Sequence, residues 1–345
     1  MLSKKNIIKG MSLKKLQAWC NDNNIKKYNA IQIFEWLYRH GIMNAQLMLN
    51  IKKDLRQLLY KNFEFKTLRI KRKIFSKNQA TVKFLFETLD NKLIETVSMI
   101  EKNRHTVCIS SQIGCTLNCD FCDTGKMGLI RNLSSGEIID QLIFVRKEIE
   151  SPITNIVFMG MGEPFYNYNN VMDAADIFHH PKGFNLSSSK ITISTAGVLP
   201  IITKFINEKR KYNLAISLNG SNNINRTQIM PINKKWNIEK IIKSGILYSN
   251  QKKKNIMFEY VLIKDINDSK YNAEELSNLL KGTFSKINII PYNETKGKYK
   301  RPSTESINSF VKILDEKKDR YQVLVRWSKG QDIEAGCGQL ATQYK

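Results

Sequence analysis

Three cysteines fall within eight positions in the stretch GCTLNCDFCDTG, residues 114–125 of a 345-residue chain that holds six cysteines in all. Thiolates at such spacing bind soft metals, and three of them on a short loop can hold three irons of a [4Fe–4S] cluster. The fourth iron then has no protein ligand, and a chelating substrate or cofactor can take its place, much as catalytic zinc keeps an open position. Structural zinc needs a fourth ligand, and His40, His105, His179 and His180 offer none at customary spacing. An electron-transfer cluster also calls for a fourth nearby cysteine. Disulfides are the third alternative, disfavoured for a tight cluster in a reducing compartment. Cys115, Cys119 and Cys122 are therefore the expected ligands of an open cluster.

A second segment with chemical potential is MGMGEP, residues 159–164, whose glycines allow close backbone approach to a ligand. A third is WSKGQDIEAGCGQLA near the C-terminus, where Cys337 stands between two glycines, far in sequence from the cysteine cluster. Read by itself, Cys337 is equally a small buried thiol, as is Cys20. Glu95, in LIETVSMIE, reads as a solvent-facing strand residue when taken alone.

These residues must be held by an ordered scaffold. Residues 11–24, 30–41 and 50–61 read as short amphipathic helices, the second placing Ile33, Trp36 and Leu37 on one face and ending at Gly41. QATVKFLFETL and LIETVSMIE then read as a hairpin or meander around the turn-forming DNK. From residue 105 onward seven β-branched runs alternate with helical patterns: HTVCIS, ITNIVFMG, KITIST, NLAISLN, NIMFEYVLI, KINIIPYN and YQVLVRW. Ser134 and Glu137 form a capping-box signature at the head of the first such helix. Alternation of this kind predicts an α/β fold with a parallel sheet, doubly wound or curved into a whole or partial barrel. The cysteine loop, MGMGEP, Ser194, Asn219 and Asn293 all lie at or just beyond strand C-termini, the edge where such folds bind ligands. QKKKN reads as a solvated loop, and NETKGKYKRPS as a mobile segment after a strand end.

Charge and length bound the partners. The net charge is +24, and 43 of the 55 basic residues are lysine. Such a surface suits a polyanion, although a chain rich in Lys, Ile and Asn also owes some charge to AT-rich codons. No apolar run reaches the length of a membrane span, and the N-terminus is too polar for a secretory signal. The expectation is a soluble, cytoplasmic protein without a membrane partner.

CTLNCDFC, with an aromatic before its last cysteine, resembles the radical S-adenosylmethionine (SAM) enzymes, and MGMGEP resembles their glycine-rich segment. Across roughly residues 11–342 the chain is similar to the bacterial 23S ribosomal RNA adenine-C2 methyltransferases. QIFEWLY, IETVSM, SSQIGCTLNCDFCDTGKMGLIRNL, VFMGMGEP, ITISTAG, RTQIMPINKKWNIE, FEYVLI, INIIPYN and GQDIEAGCGQL carry the match. The resemblance implies a partial (β/α)6 TIM-like radical SAM barrel. Residues 1–62 would be a helical RNA-binding domain, 63–101 a β-rich linker, and 102–345 the radical SAM core with the Cys337 loop.

It further implies one [4Fe–4S] cluster on Cys115, Cys119 and Cys122, and two SAM molecules per turnover. SAM contacts would come from Gly162, Glu163, Ser194, Ser217, Leu218, Asn219 and Asn293. Asn219 stands where the family usually has histidine; it can hydrogen-bond but not carry charge. By the same resemblance Cys337 is the methyl carrier, Cys108 its partner in a transient disulfide, and Glu95 the proton acceptor. The substrates would be 23S rRNA at adenine 2503 and tRNAs at adenine 37, the electron donor a reductant such as flavodoxin, and the enzyme a monomer. Two alternatives stand beside this: a sister activity that methylates C8 of the same adenine, and a basic Fe–S protein that binds RNA without chemistry. Lys14, Lys15, Lys26 and Lys27 are either an RNA grip or a solvated surface.

Overall fold

The computed structural model describes residues 5–341, so residues 1–4 and 342–345 at the outer ends of the expected domains lie outside the described residues. The chain begins with β1 (Asn6–Ile7), α1 (Leu13–Asp22), α2 (Lys27–Phe34), α3 (Lys53–Asn62) and β2 (Phe63–Glu64), which pairs in parallel with β1. Ser12 caps α1 by accepting from the Lys15 amide, as an N-cap serine does. The second helix starts earlier than its apolar pattern suggests and runs through a π-helical turn, Glu35–Arg39, before Gly41 at φ 65° reverses the chain.

Four strands follow: β3 (Leu68–Phe75), β4 (Thr81–Thr88), β5 (Leu93–Glu101) and β6 (Arg104–Cys108). After β6 come a short hairpin of β7 (Gln112–Gly114) and β8 (Leu129–Asn132), with α4 (Asp123–Lys126) inside its connection, and then α5 (Ser135–Glu148). The remainder alternates: β9 (Asn155–Phe158), α6 (Tyr168–His179), β10 (Ile191–Thr195), α7 (Leu199–Asn207), β11 (Asn213–Ser217), α8 (Asn223–Ile229), α9 (Ile238–Lys252), β12 (Ile256–Leu262), α10 (Lys270–Leu280), β13 (Ser285–Pro291), α11 (Thr304–Glu316) and β14 (Gln322–Val325).

Ten strands form one sheet in the order β14-β13-β12-β11-β10-β9-β6-β5-β4-β3. The seven from β6 to β14 are parallel and β5, β4 and β3 extend them antiparallel. This is the open, TIM-like arrangement expected for the core, and the seven predicted strand runs are all strands. Crossover helices cover the parallel strands, so those strands read as near-continuous apolar runs. The capping box at Ser134 and Glu137 forms as the sequence indicates.

Two segments depart from their sequence reading in instructive ways. β3, LRIKRKIF, is an edge strand whose Arg69, Lys71, Arg72 and Lys73 break the apolar alternation; cations on an edge also discourage strand addition. QKKKN is not wholly a loop, because Gln251 and Lys252 complete the last turn of α9 and Lys253, at φ 51°, ends it.

A buried lysine braces the helical module from within, and an arginine on α5 ties the module to the core. Lys9, 3 % exposed, donates to the Leu37 and Ile42 carbonyls, and Arg146 on α5 donates to the Tyr38 carbonyl. Lys14, Lys15, Lys26 and Lys27 are exposed, and Lys15 pairs with Asp173. No described helix is long and apolar enough to cross a membrane.

Candidate active site

β6 ends at Cys108, and the chain then turns across the top of the sheet into the β7–β8 hairpin. Gly114 sits at φ 75°, where an added Cβ would lie 1.7 Å from the Gly128 carbonyl oxygen, so only glycine fits the crossing. Beyond it, Cys115 donates its amide to that same carbonyl, and the Cys122 amide donates to the Cys119 carbonyl, tightening the loop into one turn. The loop is clamped from outside: the Asp120 side chain accepts from the Tyr299 hydroxyl at 2.7 Å and pairs with Lys298 at 2.8 Å. NETKGKYKRPS, expected as a mobile segment, is thus bonded to the cysteine loop it crosses.

Cys115, Cys119 and Cys122 wall a cleft of about 160 Å³, open to solvent, together with Gly162, Glu163, Ser194, Ser217, Asn219 and Cys337. The cysteine loop, MGMGEP, Ser194 and Asn219, singled out at separate strand ends, therefore converge on one cleft, whereas Asn293 lies outside its lining. Burial pushes the Cys115 thiol up to about 12, and the Cys119 and Cys122 thiols upward as well. Among the described residues no group of three or more His, Cys, Asp or Glu side chains is arranged around a single metal ion. A four-iron cluster spreads its ligands over different irons and so does not require that convergence.

MGMGEP follows β9. Gly162 has φ 95°, and a Cβ there would meet the Gln112 side chain and amide at 2.4–2.8 Å. Its smallness thus serves first to seat the β7–β8 hairpin against β9, a packing role that accompanies its place in the cleft wall. Gln112 adds a hydrogen bond from the Glu163 amide to its Oε1.

Glu163 is 3 % exposed; its carboxylate accepts from the Ala196 amide at 2.8 Å and the Phe165 amide at 3.0 Å. Burial outweighs those bonds and pushes its carboxyl from 4.5 up to about 7. Between those values the folded chain holds more protons than the unfolded one, so stability falls as pH rises through the window. In the cluster-free protein, Glu163→Gln is expected to remove on the order of 2–3 kcal/mol of that pH dependence. Urea unfolding at pH 5 and pH 8 reads it, and an unchanged difference between the two pH values would contradict the assignment.

Asn219 adopts the left-handed conformation, φ 52°, which asparagine tolerates well. Its Oδ1 accepts from the Val261 amide at 2.8 Å and its carbonyl accepts from Asn267, so it locks the end of β11 to β12 while lining the cleft. Leu218 is fully buried and does not line the cleft; its carbonyl accepts from Arg226. Arg226 escaped the sequence reading. Fully buried, it also donates to the Ala196 and Ser217 carbonyls and to Asn233, tying together the ends of β10 and β11.

Cys337 lies on the C-terminal segment, partly exposed, and walls two spaces. One is the cysteine-lined cleft; the other is a small cavity of about 40 Å³ shared with Cys108, Arg326 and Trp327. Burial and the neighbouring Cys337 push the Cys108 thiol up to about 12. Asn293 holds this segment from the side, donating to the Cys337 carbonyl at 3.2 Å while accepting from Gln331 at 3.0 Å. From below, the Asp123 amide donates to the Gly338 carbonyl at 2.8 Å. Glu95 is fully buried rather than solvent-facing: it pairs with Lys83 at 3.4 Å and accepts from the Ala341 amide at 3.0 Å.

Glu259, on β12, was also missed because it reads as an ordinary strand residue. Its Oε1 accepts from Asn288 at 2.9 Å, whereas its Oε2 is buried against the cleft without a hydrogen-bond partner. A buried orphan acceptor of this kind marks a place for a polar ligand.

Residues 109–275 match the Radical SAM superfamily, and residues 6–65 match the ribosomal RNA large subunit methyltransferase N-terminal domain. The chain is 41 % identical over 323 residues to the probable dual-specificity RNA methyltransferase RlmN of Petrotoga mobilis, covering 94 % of this chain and 92 % of the relative. It is 41 % identical over 333 residues to the protein of the same description from Dictyoglomus turgidum, covering 95 % and 93 %. Among solved structures, a radical SAM methyltransferase from Sphaerobacter thermophilus superposes with a TM-score of 0.93 at 38 % identity, over 97 % of this chain and 99 % of that one.

Proposed function

The chain belongs to the RlmN family of the radical SAM superfamily, and from that premise we propose that it methylates C2 of one adenine in 23S rRNA and of an adenine in tRNA. The observation that carries this reading is the place of Cys337, which faces the cysteine-lined cleft on one side and Cys108 on the other. A methyl-carrying thiol needs access to a methyl source and then to a second thiol that can release it.

The residues present fit the group the superfamily implies: three thiols on the cleft wall, those of Cys115 and Cys119 buried and that of Cys122 partly exposed, and a carboxylate oxygen of Glu259 without a hydrogen-bond partner. Cys115, Cys119 and Cys122 would hold a [4Fe–4S] cluster. Glu163, Ser194, Ser217, Asn219 and the backbone at Gly162 would hold SAM, with Asn293 fixing the Cys337 segment beside it and Leu218, behind the wall, carrying Arg226 on its carbonyl. Bound there, the pair supplies the radical chemistry that an adenine C2–H demands, since that bond is neither acidic nor nucleophilic.

The chain's own residues do the rest. Cys337 accepts a methyl group as a thioether and presents its carbon to the base, which becomes joined to the protein through that carbon. Glu95 takes the C2 proton; the bond it now accepts from Ala341 must open for this, so the C-terminal segment shifts as RNA enters. For that carbon to bond to C2, one hydrogen atom of the S-methyl would be removed by the radical chemistry the bound pair would supply, and one electron would return to the pair as the C2 proton leaves. Cys108 attacks the Cys337 sulfur: the S–S bond forms, the S–C bond breaks, and its electron pair stays on the carbon, which picks up a proton to become methyl. An external dithiol then reduces the disulfide.

The decisive experiment is mass spectrometry of 23S rRNA and tRNA from cells lacking the endogenous activity and expressing this chain. Methyl at adenine C2 in both RNAs is the expected result. Methyl at C8 would replace the reading with the sister activity, and no methyl despite an intact cluster would leave an RNA-binding Fe–S protein.

A further inference from the structure

Neither the cysteine motif nor the Cys337 loop accounts for Arg326. It follows β14 directly, and its amide donates to the Ile289 carbonyl at 2.9 Å, so the sheet ladder sets its backbone. Its side chain turns inward and walls both the cysteine-lined cleft and the smaller cavity that contains Cys108 and Cys337. Its guanidinium makes a long hydrogen bond, 3.5 Å, to the Met159 sulfur, and Glu259 is its carboxylate neighbour across the cleft. Other cations around this loop are engaged: Lys83 with Glu95 and the Glu334 carbonyl, Lys329 with Glu101, and Arg301 over the Trp327 ring.

A guanidinium with five donors in this position needs anionic partners. The sulfur atoms of Cys337 and Cys108 border the same space, and thiolates, not thiols, are the nucleophiles that both sulfur steps require. We propose that Arg326 is the positioning residue that holds negative charge on the two working sulfurs, first on Cys337 and then on Cys108. The proposal rests on the methyl-carrier reading above. In the first step the Cys337 thiolate lone pair forms the new S–C bond while the sulfonium of SAM keeps the electron pair of the bond that breaks. In the second, Cys108 needs the same counter-charge to attack the substituted Cys337 sulfur. The mutual effect is visible in the electrostatics: Cys337, Glu259 and Cys108 each favour the charged guanidinium, and Arg326 in turn opposes the burial that raises Cys108.

The test is the rate at which iodoacetamide alkylates Cys337 in the full chain purified from iron-depleted cultures, so that the readout is independent of turnover. Relative to wild type, Arg326→Gln is expected to slow alkylation about tenfold, the effect of one unit of thiol ionisation. Arg326→Lys is expected to restore most of it. Glu259→Gln, which removes a competing anion, should raise the rate severalfold and serves if the Arg326 variants fold poorly. Equal rates in wild type and Arg326→Gln, equal losses in the Gln and Lys variants, or a fall in Glu259→Gln would each overturn the role of Arg326. None of those results bears on whether the wild-type chain methylates RNA, which the mass spectrometry of rRNA and tRNA decides separately.

Discussion

Alanine at Cys337 is expected to lower methyl incorporation into RNA by at least about a thousandfold, the scale on which loss of an essential nucleophile acts. The fold should survive. Cys337 is partly exposed on a loop between two glycines, and the contacts that anchor the loop use its backbone: its carbonyl accepts from Asn293, and the neighbouring Gly338 carbonyl accepts from the Asp123 amide. A surface change of this kind usually costs no more than about 0.5 kcal/mol. Cluster content and SAM binding should therefore stay near wild type while product disappears, since Glu163, Ser194 and the cysteine loop are untouched. The measurement is mass spectrometry of RNA alongside iron content and SAM affinity of the purified variant. Retention of more than a few per cent of product would end the carrier role.

Alanine at Cys108 has a different signature. Cys108 shares the smaller cavity with Cys337, and in the free protein burial raises its pKa and keeps it as the unreactive thiol. If it is the thiol that breaks the protein–RNA link, its removal halts the cycle after that link forms. Cys108→Ala is expected to accumulate a covalent RNA–protein adduct, visible as a shifted band on a denaturing gel, with free methylated RNA reduced about a hundredfold or more. The Cys108→Ala/Cys337→Ala double variant should show no adduct, which ties the band to Cys337. Loss of a small buried thiol costs about 1 kcal/mol, so folding is not the limit. Ordinary turnover by the single variant would assign release to another group.

Much of this site was legible along the chain because its parts are local. Cys115, Cys119 and Cys122 lie on one loop, and β-branched runs of the right length announced each parallel strand with its ligand-bearing end. Residues such as Glu163 and Ser194 then followed from topology, since ligands of parallel α/β folds gather at strand C-termini. β3 was missed because its cations interrupt the alternation. The role of Gly162 was only half legible, since the neighbour its hydrogen atom accommodates, Gln112, lies fifty residues away in the β7–β8 hairpin.

What the sequence by itself determined is the chemistry available: an open three-thiol motif, a separate Cys337 flanked by glycines, an alternating α/β core and a strongly basic chain. Residue type and short-range spacing suffice for these, because coordination and secondary structure depend on neighbours within a turn or a strand. Only the tertiary structure decided that Cys337 would stand between two cavities, that Cys108 would share the second of them, and that Glu95 would be buried beneath the C-terminal segment. The same holds for Arg226 and Glu259, which are unremarkable in sequence and acquire roles through burial, and for Arg326, which borders both cavities. Burial is set by packing between distant segments, and it is burial that turns an ordinary charge into one that must be paired or put to use.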